Sequence, residues 1–467
     1  MDVVSAPPPP RHTNPLARIA HDLRRERAAT VPFPPGETRP SLTRTLRFAR
    51  EPLPILLDLY ERYGPVFSLR IFHGQAVWAL GPEANHHILV ANAANFSWRE
   101  GYYGDLMPLL GDGMLTIDGE FHRRSRKVML PAFSKQKIDL ARQVMAEEVS
   151  AAVDRLRDGM TFDLYAWTRR LALRVAMRAL LGLDPDRAYS RTDPARDFEQ
   201  ALSFWSKDYV VQMLRGPGTP WRKLMRARDR LDALIEDELR RRRERGEHGD
   251  DLLGVMLDVQ AAQEDVGLRL TDKDIRDEVM TLMFAGHDTT TSTVAFLFHE
   301  LGRHPELVED PSFDLSLALD ETLRLYPPAW IGPRRSIEPC EIAGVPVPGG
   351  VPVNYSSWAS HRLPDVWEEP EEFRPERFAP ENRARLPKGA YVPFGGGSRT
   401  CLGMRFGQAE ITVIATALLE RFRLDPVPGY ELRTRQMPTI GPRDGLPVTV
   451  RAASPAPGLD ARAAARA

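Results

Sequence analysis

The segment Phe394-Gly395-Gly396-Gly397-Ser398-Arg399-Thr400-Cys401-Leu402-Gly403 concentrates the residue types best suited to chemistry. Its glycines let the backbone approach a bound group closely, and the helical periodicity that starts at about Leu402 and runs to Phe422 puts Cys401 at a helix start. The positive helix end, the loop's peptide N–H groups and Arg399 all favour the sulfur as thiolate. A thiolate held this way suits an axial ligand of haem iron, where it donates electron density that favours O–O cleavage. The alternative for an isolated cysteine after glycines is a buried, inert thiol. Cys340, the other cysteine, falls in a β-prone stretch with no partner motif and reads as structural.

The pattern F-x-x-G-x-R-x-C-x-G is satisfied at Phe394, Gly397, Arg399, Cys401 and Gly403. A chance match in a chain of this length is on the order of one in ten thousand. The segment resembles the haem-binding signature of the cytochrome P-450 family, and the resemblance covers roughly residues 45 to 450. It implies haem b (iron protoporphyrin IX) as cofactor, O2 as co-substrate, Cys401 as the iron ligand, and Phe394, Arg399 and Gly403 as cofactor contacts.

Further segments match the family in order. Glu321-Thr322-Leu323-Arg324, followed by Pro375-Glu376-Arg377-Phe378, implies a buried ion network of Glu321, Arg324 and Arg377 that supports the cysteine loop. Ala285-Gly286-His287-Asp288-Thr289-Thr290 resembles the oxygen-activation segment. Activating O2 requires protons, and a hydroxyl backed by a carboxylate is a relay for them; Thr289 is then the hydrogen-bond partner of oxygen and Asp288 its link to solvent. His122, where many relatives have Trp, and Arg126 lie four residues apart on one helix face. Together with Arg334 and Arg399 they are the implied partners of two haem propionates; Arg335 is the lesser alternative to Arg334. The family's topology places Tyr102, Tyr103, Leu106, Met107, Phe284, Ala285, Ala329, Trp330, Ile331 and Met437 around the substrate, and their apolar character fits an apolar small molecule. A fatty acid, terpenoid, steroid or polyketide is compatible, with hydroxylation as the expected outcome.

The implied activity is a haem-thiolate monooxygenase that inserts one atom of O2. The rivals are a peroxygenase or isomerase that does not reduce O2, and a haem sensor or carrier without turnover. Asp288 and Thr289 count against both, since proton delivery serves O2 activation. The chain ends soon after the haem region and shows no convincing flavin phosphate loop or iron–sulfur cysteine set. A separate ferredoxin or flavodoxin with an NAD(P)H reductase is therefore expected, and Arg123, Arg124, Lys127 and Arg405 are candidates to face it.

These residues need a helical frame. Apolar spacing predicts helices over Leu140–Leu156, Leu164–Leu181 and Ala227–Arg243, the last with a charged solvent face. A capping box at Thr271 and Asp274 opens a helix that continues to about Arg303, where His304-Pro305 ends it. At 1.5 Å per residue it is roughly 48 Å long and crosses the molecule. Its Gly- and Thr-rich centre, poor in helix formers, requires a function. Val66–Phe72 and Gln75–Leu80 read as a hairpin about His73-Gly74, Arg362–Lys388 as an ordered meander, and Val448–Val450 as a last strand. The expected fold is mainly α with a small β region, a helical bundle around haem with a long central helix.

Residues 1–40 read as a Pro-rich, partly disordered leader, 41–452 as a single catalytic domain and 453–467 as a flexible tail. With 42% hydrophobic and 27% charged residues the chain can bury a core without disulfides. A net charge of −1 gives no reason to expect nucleic acid as partner, and no apolar run is long enough to span a bilayer. Two distant cysteines fit a reducing cytoplasm; a monomer is the family's default.

Overall fold

The computed structural model describes residues 15–101, 106–186, 193–205, 207, 209–246, 248–262 and 267–453. The predicted periodicities become the helices Lys135–Val153, Leu164–Val175 with a π-helical continuation over Ala176–Leu180, and Pro220–Arg245. They pack around the central helix Asp272–Arg303, which is 32 residues long. The capping box is present: the Asp274 N–H donates to Thr271 Oγ1 at 3.3 Å, and the Thr271 N–H donates to Asp274 Oδ2 at 2.8 Å. Met280, Val294 and Leu297 of this helix share a core with Leu171, Val175, Ile414 and Leu418 of its neighbours. Its polar middle is buried without breaking the helix because Thr289, Thr291 and Thr293 each donate their hydroxyl to the carbonyl four residues earlier.

The strands are β1 (Gly36–Glu37), β2 (Val66–Ile71), β3 (Gly74–Ala79), β4 (Phe96–Ser97), β5 (Thr161–Asp163), β6 (Gly332–Ser336), β7 (Cys340–Ile342), β8 (Val345–Val347), β9 (Pro352–Tyr355), β10 (Phe422–Pro426), β11 (Thr434–Arg435), β12 (Gly441–Pro442) and β13 (Pro447–Ala452). The largest sheet has the order β1-β2-β3-β9-β6-β4, and β10-β13-β5 form a second. The hairpin turns one residue earlier than predicted, at Phe72-His73, with Phe72 at φ 53°. Cys340, half-buried in β7, pairs in register with Val347.

Part of the leader is built into the fold. Pro15–Arg27 is helical and β1 pairs in parallel with β2, because polar anchors compensate for the shortage of apolar residues: Asp22 is buried in an ion pair with Arg335. Residues 1–14 and 454–467 lie outside the described residues. Among the described residues no helix is long and apolar enough to cross a membrane.

Candidate functional site

In the cysteine loop Gly395 and Gly397 take φ of 69° and 59°, left-handed values that suit glycine. A Cβ on Gly397 would stand 2.3 Å from the Leu89 carbonyl oxygen, so only glycine passes there. The loop closes on itself where the Cys401 N–H donates to Phe394 O at 2.9 Å. The helix Met404–Arg421 follows, with Gly403 as its cap. Cys401 stays accessible within dense surroundings whose burial pushes its thiol pKa up, against the Gly403 N–H and Arg126. Arg126 is a cation that favours the charged sulfur. An accessible thiol held by its own loop is placed to bind a group rather than to fill a core.

Around it gather cations. The Arg334 guanidinium lies 3.6 Å from the centre of the Trp98 ring and that of Arg399 5.1 Å from the same ring. Arg399 donates to Ile117 O at 2.8 Å and to Asp118 Oδ1 at 2.7 Å. Burial, with repulsion from Arg334 and Arg126, holds its pKa down to about 10 despite Asp118. His122 is buried and pushed down to about 3 by desolvation and then by Arg399 and Arg126, so it is neutral. Arg334 and Arg126 both repel the Arg399 charge, and a bound dianion would relieve that repulsion. Arg335 is engaged elsewhere, with Asp22, Glu100 O and Gly350 O. The donor set, one accessible thiol beside three clustered arginines, fits an iron porphyrin with its two carboxylates.

On the central helix Asp288 is fully buried. Its Oδ2 accepts from Thr439 Oγ1, and its Oδ1 lies 3.5 Å from Arg435 and 3.7 Å from Arg169. Desolvation would raise its pKa, yet Arg435 and Arg169 outweigh it and hold the carboxyl below its ordinary value. Arg435 also donates to Tyr165 OH at 2.5 Å. Thr289 donates to Ala285 O at 2.5 Å. One residue on, Thr290 Oγ1 donates to Glu410 Oε2 at 3.2 Å, and burial pushes the Glu410 pKa up to about 8.

The three residues of the predicted ion network meet. Arg324 donates to both Glu321 oxygens at 2.7 and 2.8 Å, and Arg377 Nε lies 3.3 Å from Glu321 Oε1. Arg324 also donates to the carbonyls of His361, Pro370 and Glu372. His361 was not anticipated: it is fully buried, its Nδ1 lies 3.2 Å from Arg324 O, and its Nε2 accepts the Val392 N–H at 2.9 Å, two residues before the cysteine loop. Desolvation keeps it neutral, with a pKa near 3. Trp98, Asp118, Arg169, Arg435 and Thr439 were likewise missed, since the partners they serve lie far away in sequence, as Asp118 lies 281 positions from Arg399.

The pocket residues divide. Leu106, Met107 and Phe284 are buried, Ala285 is half-buried, and Ala329 and Met437 are exposed. Trp330 is packed in a core with Trp358 and donates its indole N–H to Gln436 O at 2.8 Å, so its ring is committed to structure. Tyr102 and Tyr103 lie outside the described residues.

The family profile described as Cytochrome P-450 matches residues 34–310 and 315–444. The chain is 32% identical over 448 residues to cyclooctat-9-en-7-ol 5-monooxygenase of Streptomyces melanosporofaciens, covering 90% of this chain and 95% of that one. It is 29% identical over 446 residues to putative cytochrome P-450 120 of Synechocystis, covering 90% and 97%. A solved structure described as a retinoic-acid-bound cyanobacterial enzyme of this kind superposes with a TM-score of 0.79 at 28% identity, over 91% of this chain and all of the other. Profile, relatives and fold agree: the chain belongs to the cytochrome P-450 family of oxygen-incorporating oxidoreductases.

Proposed function

We propose that this protein inserts one atom of O2 into an apolar small molecule, giving a hydroxylated product, with haem b bound at Cys401 and electrons delivered by a separate ferredoxin or flavodoxin and its NAD(P)H reductase. The carrying observation is the accessible Cys401 thiol beside the clustered guanidiniums of Arg126, Arg334 and Arg399. Haem, when bound, supplies the redox chemistry that activates O2. The three arginines and neutral His122 hold its propionates. Phe394 and Gly403 bound the thiol, and Arg399 ties the loop to Asp118. Thr289 turns its Oγ1 proton away from Ala285 O toward the bound group, and the proton it gives up is restored by Asp288, which first takes one from solvent on the side where Arg169 and Arg435, 18% and 19% exposed and themselves always protonated, reach the surface.

The substrate is mostly hydrocarbon, lying against Leu106, Phe284, Ala285, Ala329 and Met437, with Tyr102 and Tyr103 as further candidates. One relative is named for an alcohol on a hydrocarbon skeleton and one structural neighbour holds retinoic acid, so a terpenoid is the first class to screen. For the electron donor, Arg123 and Arg124 are partly neutralised by Glu120, which leaves Lys127 and Arg405 as the less committed cations. The test is the absorption spectrum after reduction under carbon monoxide, for wild type and Cys401→Ala. A strongly red-shifted Soret band lost in the variant is the expected result; folded wild type with an ordinary haem band, or with no haem when haem is supplied, would sink the reading.

A further inference from the structure

The helix Pro15–Arg27 lies before residue 34, where the family match begins, yet it is tied to the wall of the cofactor site. Asp22, 4% exposed, pairs with Arg335 Nη2 at 2.5 Å and with His73 Nε2 at 3.3 Å. Arg335 in turn donates to Glu100 O and Gly350 O, both at 2.9 Å. From the same helix Arg18 donates to Gly101 O at 3.2 Å. Glu100 and Gly101 are therefore gripped twice, once directly and once through the buried ion pair. Gly101 lies so close to β6 that a Cβ there would stand 2.9 Å from the Arg334 Cα. Two residues before Glu100 sits Trp98, the ring that both Arg334 and Arg399 face. At its far end the helix is fastened to β2 by Glu26 and Arg70.

We propose that this helix is a strap on the cofactor site: Asp22 and Arg18 are positioning residues that fix Glu100–Gly101, and through them Trp98, so that Arg334 and Arg399 stay closed around an anionic group. The physical reason is asymmetric. Removing one partner of a buried ion pair leaves the other charge uncompensated, so Arg335 without Asp22 must turn toward water and release the Glu100 carbonyl. The chain beyond Trp98 is then loosened, leaving the Trp98 N–H bond to Asp118 Oδ1 at 3.1 Å to hold the ring against the two guanidiniums from one side only. The proposal rests on the reading that haem binds at Cys401.

The test is haem release from the full-length holoprotein into excess apomyoglobin, followed by absorbance, for wild type, Asp22→Asn and Arg18→Ala. By the scale of losses seen when outer contacts of a cofactor site are removed, Asp22→Asn is expected to release haem about tenfold faster. Arg18→Ala, which deletes one hydrogen bond and spares the buried pair, should change release in the same direction by less and covers the case in which Asp22→Asn does not fold. In a Trp98→Leu background the Asp22→Asn change should add little. Release at the wild-type rate in both single variants overturns the strap, as does an undiminished effect in the Trp98→Leu background, because a merely structural helix would act without Trp98. Wild type that takes up no haem sinks the functional reading and the strap with it, whereas haem retained at an unchanged rate sinks the strap alone.

Discussion

Asp288 is fully buried and yet held toward its charged form, and the two arginines that make this possible also define what its removal does. Asp288→Asn keeps the shape but leaves Arg169 and Arg435 facing a neutral amide. Turnover is expected to fall about a hundredfold with haem content intact. Thr289→Ala should act differently: NADH consumption continues while product per NADH drops and peroxide appears. Both are measured by comparing NADH oxidation, peroxide and product with a supplied electron donor; tight coupling in Thr289→Ala would remove its hydroxyl from proton handling. Glu410 offers a pH test. Its folded value of about 8 lies above its ordinary 4.5, so between those pH values the unfolded chain sheds a proton that the folded chain keeps, and stability falls as pH rises through the window. Glu410→Gln removes that loss, so its melting temperature should exceed that of wild type by more at pH 8 than at pH 5. Glu278, also pushed up to about 8 by burial, leaves part of the slope in place. Individual residues were legible where a motif named them, as for Cys401, Glu321 and Arg324. They were not legible where their role depends on a contact across the fold: Arg435 stands 147 positions after Asp288 in a stretch with no motif.

The central helix shows what the sequence reveals about elements. Its start, its end and its length follow from Thr271, Asp274 and His304-Pro305, and the structure agrees. Its Gly- and Thr-rich centre stays helical because the hydroxyls bond back to the helix. Local polarity predicts that a hydroxyl needs a partner, not which of two partners it takes. The meander Arg362–Lys388 has no periodicity to read, and its order comes from outside, chiefly from Arg324. Arg324→Lys cannot serve two carboxylate oxygens and three carbonyls at once. It is expected to yield little folded holoprotein, measured as haem bound per soluble chain, while Glu372→Ala, which keeps its carbonyl, should yield near-normal amounts. Equal yields from the two variants would show that the guanidinium contacts are dispensable.

At the scale of the molecule the mainly helical architecture and the family were readable because amphipathic periods and a ten-residue signature are local in sequence. The folded part of the leader was not, because Pro15–Arg27 has few apolar residues and is held by Asp22 and Arg335, 313 positions apart. The Arg324 hub has a wider consequence. Three of its acceptors are main-chain oxygens, which every amino acid supplies. Evolution can therefore rewrite the letters at such positions wherever, unlike at His361, the side chain has no task of its own, so that lineages retaining under a third of their residues in common can inherit the same contour, with memory of the fold stored in the course of the backbone and in a few arginines that read it.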